Sequence, residues 1–380
     1  MLDIAIVGGG LCGLALAERL HAEGSGFALF EARDRLGGRI LTRPMPGTGL
    51  PVDLGPAWIW PEMHPAIAGM VAALGLETFA QHENGAVLVL TDPDRNPEVV
   101  TGMVHDGARR VAGGMGRVVT ELAGRLPADR LHTGHVLKAV ADKGDHVALR
   151  FATDGAEVTI LARTAVLAIP PRLLEEHVRF EPDLDPGVRA AMRATMTWMA
   201  YQAKAAIGFD RPFWREAGWS GDAFVTHGQA VFGQIFDACD PAGDRAALAA
   251  FLALTPDQRR AFHQGLPMLM DSQITQVFAG APEHGPQLYQ NWAADPFTCS
   301  TLDLAPPNGH PDYGDPALRH PAWGGRLHFG ASETAGYGGG YLEGAVEAAR
   351  RIERDLAGAR VIPNPDEGDS SGFGSSPRGA

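Results

Sequence analysis

The sequence predicts an α/β fold of two domains, one of them Rossmann-like. The chain has 380 residues, which is long for a single core. Residues 4–31 read as a strand, a glycine-rich turn, a helix and a second strand, which together form a βαβ unit. After an irregular middle, the chain returns to a glycine-rich turn and a long amphipathic helix. These three observations favour a nucleotide-binding domain interrupted by an inserted α+β domain.

The βαβ unit carries the first candidate site. Its glycine turn, GGGLCG at residues 8–13, fits the G-x-G-x-x-G pattern through Gly8, Gly10 and Gly13. Such glycines permit a tight turn and close approach of a pyrophosphate, and the helix N-terminus offers free N–H groups. Glu31 ends the second strand, where a carboxylate can accept from ribose hydroxyls. The pattern predicts a dinucleotide site without distinguishing a flavin from a nicotinamide.

The remaining elements follow from apolar runs and their breakers. We predict further strands at 136–149, 159–169 (ended by two prolines) and 200–209, helices within 244–279, and a helix at 342–356.

Composition excludes several function classes. The net charge is −13, and there is no basic cluster, which argues against a nucleic-acid partner. The 14 histidines show no ligand spacing, so no metal site is expected. Three scattered cysteines, Cys12, Cys239 and Cys299, predict a reducing, cytoplasmic location. The uncharged run 4–17 is too short to span a bilayer and is interrupted by glycines, so we expect no membrane anchor.

A family resemblance rests on six segments in order. The first is EARDRLGGR at residues 31–39, which resembles the second flavin signature of the flavin-containing amine oxidase family. The others are 53–59 (DLGPAWI), 110–116 (RVAGGMG), Val136, 165–171 (AVLAIPP), and the C-terminal pair 330–334 and 340–347.

The resemblance implies an FAD cofactor and a set of residues that contact it. These are Gly8, Gly10, Gly13, Glu31, Ala32, Arg33, Gly38, Arg39, Gly55, Pro56, Ala57, Trp58, Val136, Glu333 and Leu342. Some family members link the flavin through a cysteine, and Thr301 stands at that position, with Cys299 nearby. We therefore expect non-covalent FAD. A helix N-terminus after the last glycine turn would stabilise negative charge on the flavin.

The same resemblance divides the chain. It implies a discontinuous FAD-binding domain of residues 1–61, 113–179 and 301–360, and a substrate domain of residues 62–112 and 180–300. Residues 361–380 read as a disordered tail. The substrate domain looks short for the family, which predicts a pocket that is either unusually open or completed by a second copy of the chain.

Lys204 is the first catalytic candidate. It is the only charged residue in the strand-like run 194–209, where an ammonium is costly to bury without a partner or a task. Its spacing from Phe213 and Trp214 matches the family lysine that reaches flavin N5 through a water. By resemblance, Lys204 would assist O2 in reoxidising the flavin. The alternative is a strand lysine that extends to solvent.

Tyr341 is the second catalytic candidate. It matches one wall of the aromatic cage that flanks the substrate amine in this family, and an aromatic face attracts a cation. By spacing from Trp292, the other wall falls on Leu302, which is apolar but not aromatic. Tyr341 could therefore simply pack beside the flavin, and the substrate is less certain than the cofactor.

The resulting expectation is an FAD-dependent oxidoreductase. A small amine would lose a hydride to flavin N5, with O2 as acceptor, giving an imine or aldehyde and H2O2. The alternative is a flavin-dependent desaturase or dehydrogenase acting on C–C bonds, similar to carotenoid desaturase or protoporphyrinogen oxidase, which Leu302 favours. A third alternative is a flavin-binding protein without turnover, which would leave Lys204 unexplained.

Overall fold

A computed structural model describes residues 1–282 and 285–361. The strands are β1 (Leu2–Val7), β2 (Phe27–Phe30), β3 (Thr42–Pro44), β4 (Pro51–Asp53), β5 (Thr78–Ala80), β6 (Ala86–Leu90), β7 (Glu98–Val100), β8 (Arg109–Val111), β9 (Leu131–His132), β10 (Val136–Asp142), β11 (Val147–Thr153), β12 (Ala156–Leu167), β13 (Arg179–Glu181), β14 (Ala203–Phe209), β15 (Trp219–Val225), β16 (Phe232–Asp237), β17 (Ala246–Leu252), β18 (Gln287–Asn291) and β19 (Leu327–Phe329).

The helices complete the element order. They are α1 (Leu11–Ala22), α2 (Pro65–Ala73), α3 (Gly116–Gly124), α4 (Pro171–His177), α5 (Pro186–Ala194), α6 (Phe213–Glu216), α7 (Pro256–Ala261), α8 (Leu266–Val277), α9 (Pro316–Arg319) and α10 (Leu342–Val361).

The first sheet supports the glycine turn. Its order is β13-β10-β11-β12-β1-β2-β9, and β19 also pairs with β12. β1 pairs in parallel with both β2 and β12, so its apolar residues are covered on both faces. α1, α3 and α10 contribute Leu14, Val118 and Ile352 to the core on one of these faces. The glycine turn therefore lies at the carboxyl end of β1, where open α/β sheets bind ligands.

The second sheet forms the other half of the molecule. Its order is β18-β14-β17-β16-β15-β6-β7, and most neighbours are antiparallel. β14 is buried along its whole length because it lies between β17 and β18 and packs against a core that includes α8. Lys204 is the second residue of this buried strand.

Most predicted elements are confirmed, with shifted ends. The strand, helix and second strand predicted within residues 4–31 match β1, α1 and β2. Residues 136–149 hold all of β10 and the start of β11, and 159–169 falls largely within β12. The helical prediction for 244–279 is wrong in its first part, because 246–252 is strand β17. Its alanine-rich run favours a helix locally, but pairing with β14 and β16 decides the outcome.

The two sheets draw on different parts of the chain. Strands of the first come from residues 2–30, 131–181 and 327–329, and those of the second from 86–100 and 203–291. The exact division into an FAD-binding and a substrate domain stays a prediction. The predicted tail lies outside the described residues, except for Val361. Among the helices described, none has the length and apolar character needed to cross a bilayer.

Candidate functional site

One large cavity lies between the two sheets. Its volume is about 710 Å³, within the usual range for small-molecule sites. The glycine turn, the loop 54–60 and the start of β10 line one part of it, while β14 and the start of α10 line another. Most of the predicted nucleotide residues therefore share a single cavity with both catalytic candidates.

Backbone geometry explains the glycines of the first turn. Gly8 has φ of +109°, and a Cβ there would lie 2.3 Å from the carbonyl oxygen of Ala168. A Cβ on Gly13 would lie 2.0 Å from the carbonyl oxygen of Gly8, so Gly13 allows α1 to pack against the turn. Gly10 is different, since a Cβ there meets no protein atom within 4 Å. The space in front of Gly10 is open cavity, which is what close approach of a ligand requires.

Glu31 is held rigidly beside this turn. Its Oε2 accepts from the backbone N–H of Gly9 at 2.6 Å, and its Oε1 accepts from that of Arg33 at 2.9 Å. The Arg33 guanidinium pairs with Asp295 at 2.8 Å and also lines the cavity. The carboxylate therefore has a fixed orientation toward the nucleotide end of the cavity.

The second glycine pair lies against the first turn. Gly37 donates its N–H to the Gly9 carbonyl at 2.7 Å, and Gly37 and Gly38 both have positive φ. Arg39 follows, and its Nη1 lies 2.7 Å from Glu333 Oε1 and 3.0 Å from the Trp198 carbonyl. Glu333 is fully buried behind the cavity wall. Its charge neutralises Arg39 and holds that side chain in place.

Lys204 lies deep in the cavity, not at the surface. Its side chain is only 2% exposed, and Nζ donates to the Gly55 carbonyl at 2.8 Å. The rings of Trp58, Phe236 and Phe251 lie 5.0–5.5 Å from Nζ. Burial lowers the pKa of Lys204 to about 7, with the Asp53 carboxylate opposing that shift. Lys204 is thus poised between its charged and neutral forms near neutral pH.

Tyr341 lines the same cavity immediately before α10. The Trp198 ring, also on the cavity wall, lies 6.3 Å from the Tyr341 ring at an angle of 56°. His64 lies 5.4 Å from Tyr341 on another side, and His310 stacks on it at 4.8 Å. Tyr341 is therefore one member of an aromatic group, as a cage for a cation requires.

Two helix N-termini converge next to Tyr341. Glu343, in the first turn of α10, accepts from the backbone N–H groups of Ala66 and Ile67, both at 2.9 Å. These amides belong to the first turn of α2, so one carboxylate caps the neighbouring helix and fixes the start of α10. Leu342 at this junction lines the cavity.

Most of the predicted site residues line the cavity. They are Gly8, Gly10, Glu31, Ala32, Arg33, Gly38, Arg39, Gly55, Pro56, Ala57, Trp58, Val136, Lys204, Tyr341 and Leu342.

Three predicted positions do not line the cavity. Gly13 and Glu333 lie behind the wall, where one permits helix packing and the other holds Arg39. Leu302 is 54% exposed on a short 3-10 helix outside the cavity, so it is not the second cage wall. Trp198 is the aromatic residue that faces the cavity beside Tyr341.

Sequence reasoning missed several residues of the cavity wall. His105, Gln202, Gln234 and Phe251 line it without belonging to any motif. Met199 also lines it and has φ of 60°, a conformation that non-glycine residues rarely adopt. No local signal marks these positions, because the cavity wall is assembled from separate strands and loops.

A second cavity continues from the first. Its volume is about 390 Å³, and four residues line both cavities: Met199, Gln202, Gln234 and Phe251. The substrate-domain side therefore offers further space beyond the Lys204 region.

The residues present fit a dinucleotide cofactor. The open space at Gly10, the fixed carboxylate of Glu31 and the free end of α1 match what a ribose and pyrophosphate need. Lys204 and Tyr341 lie farther along the same cavity, where the reactive ring of such a cofactor would meet a substrate.

Comparison with known proteins agrees with this geometry. Residues 95–352 match the profile of the flavin containing amine oxidoreductases, and residues 6–74 match that of the NAD(P)-binding Rossmann-like domain. The chain belongs to the flavin-containing amine oxidoreductase family. Its activity class is that of an FAD-dependent oxidoreductase.

Individual relatives of this amine oxidoreductase are distant. Human flavin-containing amine oxidase B is 25% identical over 93% of this chain and 86% of its own. Horse flavin-containing amine oxidase A is 23% identical over 94% and 85%. A putrescine oxidase structure has a TM-score of 0.76 at 19% identity, and a cyclohexylamine oxidase of Brevibacterium oxydans has 0.74 at 18%. Each structure covers 94% of this chain and is itself covered to 99%, which shows the fold.

A pair of glycine variants tests the cofactor cradle of this amine oxidoreductase. Gly10→Ala adds a methyl group that meets only open cavity, so stability should fall only by the difference between Gly and Ala as helix N-caps, about 0.5–1 kcal/mol. FAD affinity should fall by about tenfold or more, because the methyl occupies the ligand's space.

The matched variant Gly13→Ala should instead lose mainly stability and not FAD affinity. Its Cβ would overlap the Gly8 carbonyl, which should cost about 1–3 kcal/mol of stability. Chemical unfolding and FAD titration of both variants separate the two effects. Equal loss of stability in both variants would contradict the assignment of Gly10 to the ligand.

The lowered pKa of Lys204 predicts a pH-dependent stability. Between about pH 7 and its ordinary pKa of 10.5, the unfolded chain binds this proton and the folded chain does not. The free energy of unfolding therefore rises with pH between about pH 7 and pH 10.5, because the cost of burying Lys204 falls as the unfolded chain loses its proton. From about pH 7 to about pH 9, wild type should gain up to about 2 kcal/mol relative to Lys204→Met. The exposed Lys143→Met is the control and should track wild type. A constant gap between wild type and Lys204→Met would refute the buried, lowered pKa.

Proposed function

We propose that this protein oxidises a small amine, using non-covalently bound FAD and O2. The observation that carries the proposal is the convergence of the glycine turn, Lys204 and Tyr341 on one cavity. When bound, FAD would supply an acceptor for a hydride from the substrate's α-carbon and a donor of two electrons to O2, which with two protons would give H2O2. A primary amine would thereby become an imine, which water would hydrolyse to an aldehyde and ammonia.

The chain's own residues position the substrate. Tyr341 and Trp198 present aromatic faces to an amine, which attracts positive charge and orients the reacting C–H bond. Names of relatives, among them amine oxidase B and putrescine oxidase, support an amine as the substrate class.

Lys204 acts on the oxygen side of the reaction. Its Nζ is fixed by the Gly55 carbonyl and shielded from bulk water by three rings, so any charge it carries acts at low local dielectric. A cation at this point would stabilise negative charge that develops on O2 during its reduction.

The alternative chemistry on C–C bonds loses its main support. That alternative was favoured by an apolar residue, Leu302, at a cage position, and Leu302 lies outside the cavity. The family profile also favours the amine.

Non-covalent attachment is supported by the cysteines. Cys299 and the neighbouring Thr301 lie outside the cavity wall, although Thr298 lines it, and Cys12 lines the cavity at the glycine turn, which is the nucleotide end. All three cysteines are free, and burial raises the pKa of each thiol to about 12. We propose a cytoplasmic location on the same grounds. Completion of the pocket by a second copy of the chain stays a prediction.

The substrate class is tested by an anaerobic panel of amines, amino acids and C–C substrates. An aliphatic or aromatic primary amine should bleach the oxidised-flavin absorbance, and admission of air should restore it with stoichiometric H2O2. Bleaching by a C–C substrate alone would contradict the amine assignment. Acid precipitation should leave the flavin in the supernatant, and a yellow pellet would contradict non-covalent binding.

Lys204→Met should separate the two halves of the reaction. The rate constant of reoxidation by O2 should fall by about a hundredfold, because a stabilising charge is lost. The rate of anaerobic reduction by amine should change by less than about threefold. Stopped-flow absorbance measures both steps, and Lys143→Met serves as the matched control. Equal slowing of both steps would contradict a specific role for Lys204 in the reduction of O2.

The aromatic pair is tested by Tyr341→Leu and Trp198→Leu. Each should raise KM for the amine by about three- to thirtyfold, the range expected for loss of one cation–π contact. Tyr289→Leu, at a similarly exposed tyrosine on β18, should leave KM unchanged. Unchanged KM in both cage variants would show that these rings only pack beside the cofactor.

A further inference from the structure

A buried cluster of one histidine and two carboxylates lies next to the cavity wall. His105 belongs to the segment between β7 and β8, Glu83 to the segment between β5 and β6, and Asp222 to β15. His105 Nδ1 lies 3.3 Å from Asp222 Oδ1 and 3.8 Å from Glu83 Oε1. The exposed fraction of the side chain is 5% for His105, 1% for Asp222 and 11% for Glu83.

Three buried polar atoms of this cluster have no hydrogen-bond partner among the described residues. Both carboxylate oxygens of Asp222, and Nδ1 of His105, are buried without a hydrogen bond to any described residue. No lysine or arginine in the described ranges forms an ion pair with Glu83 or Asp222. Glu83 Oε1 accepts from the backbone N–H of His105, whereas neither oxygen of the buried Asp222 carboxylate has a hydrogen bond, and an unpaired buried carboxylate is strongly unfavourable.

The separations fit a metal ion in the middle. Ligand atoms about 2.0–2.2 Å from a tetrahedral metal lie about 3.3–3.6 Å from each other. The two nitrogen–oxygen distances are close to this range, and one donor atom from each of the three residues lies within 4.8 Å of the others. One imidazole nitrogen and two carboxylate oxygens suit Zn²⁺ or Mn²⁺. A divalent cation would also neutralise both carboxylates, which a single proton on His105 cannot do.

The other ring nitrogen of His105 faces a side-chain amide on the cavity wall. His105 Nε2 lies 3.2 Å from Nε2 of Gln234, and rotation of that amide by 180° would place its oxygen there to accept from an Nε2–H. His105 also stacks on Trp58 at 4.3 Å, and Trp58 faces Lys204.

We propose that Glu83, His105 and Asp222 form a divalent-cation site, for Zn²⁺ or Mn²⁺. The ion joins the β5–β6 segment, which carries Glu83, and the β7–β8 segment, which carries His105, to Asp222 on β15 of the second sheet. It thereby fixes the part of the cavity wall that His105, Gln234 and Trp58 form. The three ligands come from separate segments of the chain, so no local spacing marks the site and the sequence led us to expect no metal. The inference does not depend on the identity of the substrate.

The test measures metal binding to the flavin-loaded protein directly. After treatment with a chelator and its removal, wild type should bind one equivalent of Zn²⁺ or Mn²⁺ in competition with a chromogenic chelator. The thermal midpoint should rise by several degrees with the same metal. Asp222→Asn should weaken binding by about a hundredfold and abolish the thermal shift.

Two further variants complete the design. Glu83→Gln, at the least buried ligand, carries the comparison if Asp222→Asn does not fold. Asp145→Asn, which alters an exposed carboxylate paired with His146 at 2.7 Å, should bind metal as wild type does. Wild type that binds neither ion stoichiometrically, or ligand variants that bind as tightly as wild type, would overturn the proposal.

Discussion

The hydrogen bond from Lys204 to the Gly55 carbonyl is the contact on which the site depends. It joins β14 of the second sheet to the loop that follows β4, across the cavity between the two halves of the molecule. Burying an amine is costly, so this position is tolerated only because a carbonyl, three aromatic faces and a nearby carboxylate surround it. The same surroundings that lower its pKa also make its charge effective in chemistry.

At the nucleotide end of the cavity, the geometry is set by residues that are close together in the sequence. The glycine turn, Glu31 and the Gly37–Gly38 pair are close in sequence, and their contacts are mostly backbone hydrogen bonds to one another. Local patterns therefore identified residues that line this end of the cavity, and the binding of a dinucleotide by these residues stays a prediction. Lys204 was also predictable, because a single charge in a buried strand is visible from the sequence alone.

The substrate end could not be predicted to the same extent. Trp198 faces Tyr341 because Arg39 and Glu333 hold its backbone, a relation between distant residues that spacing does not reveal. Leu302 was misplaced because its position was inferred from the distance to Trp292 in sequence, whereas the chain there forms an exposed turn. Strand β17 was missed because its alanines favour a helix until neighbouring strands pair with them.

Function in this protein therefore rests on rigid placement. Glu333 holds Arg39, Glu343 joins α10 to α2, and the buried cluster around His105 supports the far wall. None of these carboxylates needs to touch a substrate. Each fixes an element that does line the cavity, and residues of this kind are the ones that a reading of motifs leaves out.

The most direct measurement is the stoichiometry of flavin binding, taken from the visible absorption spectrum of the purified protein before and after addition of FAD. The account predicts one FAD per chain, either retained on purification or taken up on addition. A colourless protein that refuses added FAD would contradict the placement of an isoalloxazine ring between the glycine turn, Lys204 and Tyr341.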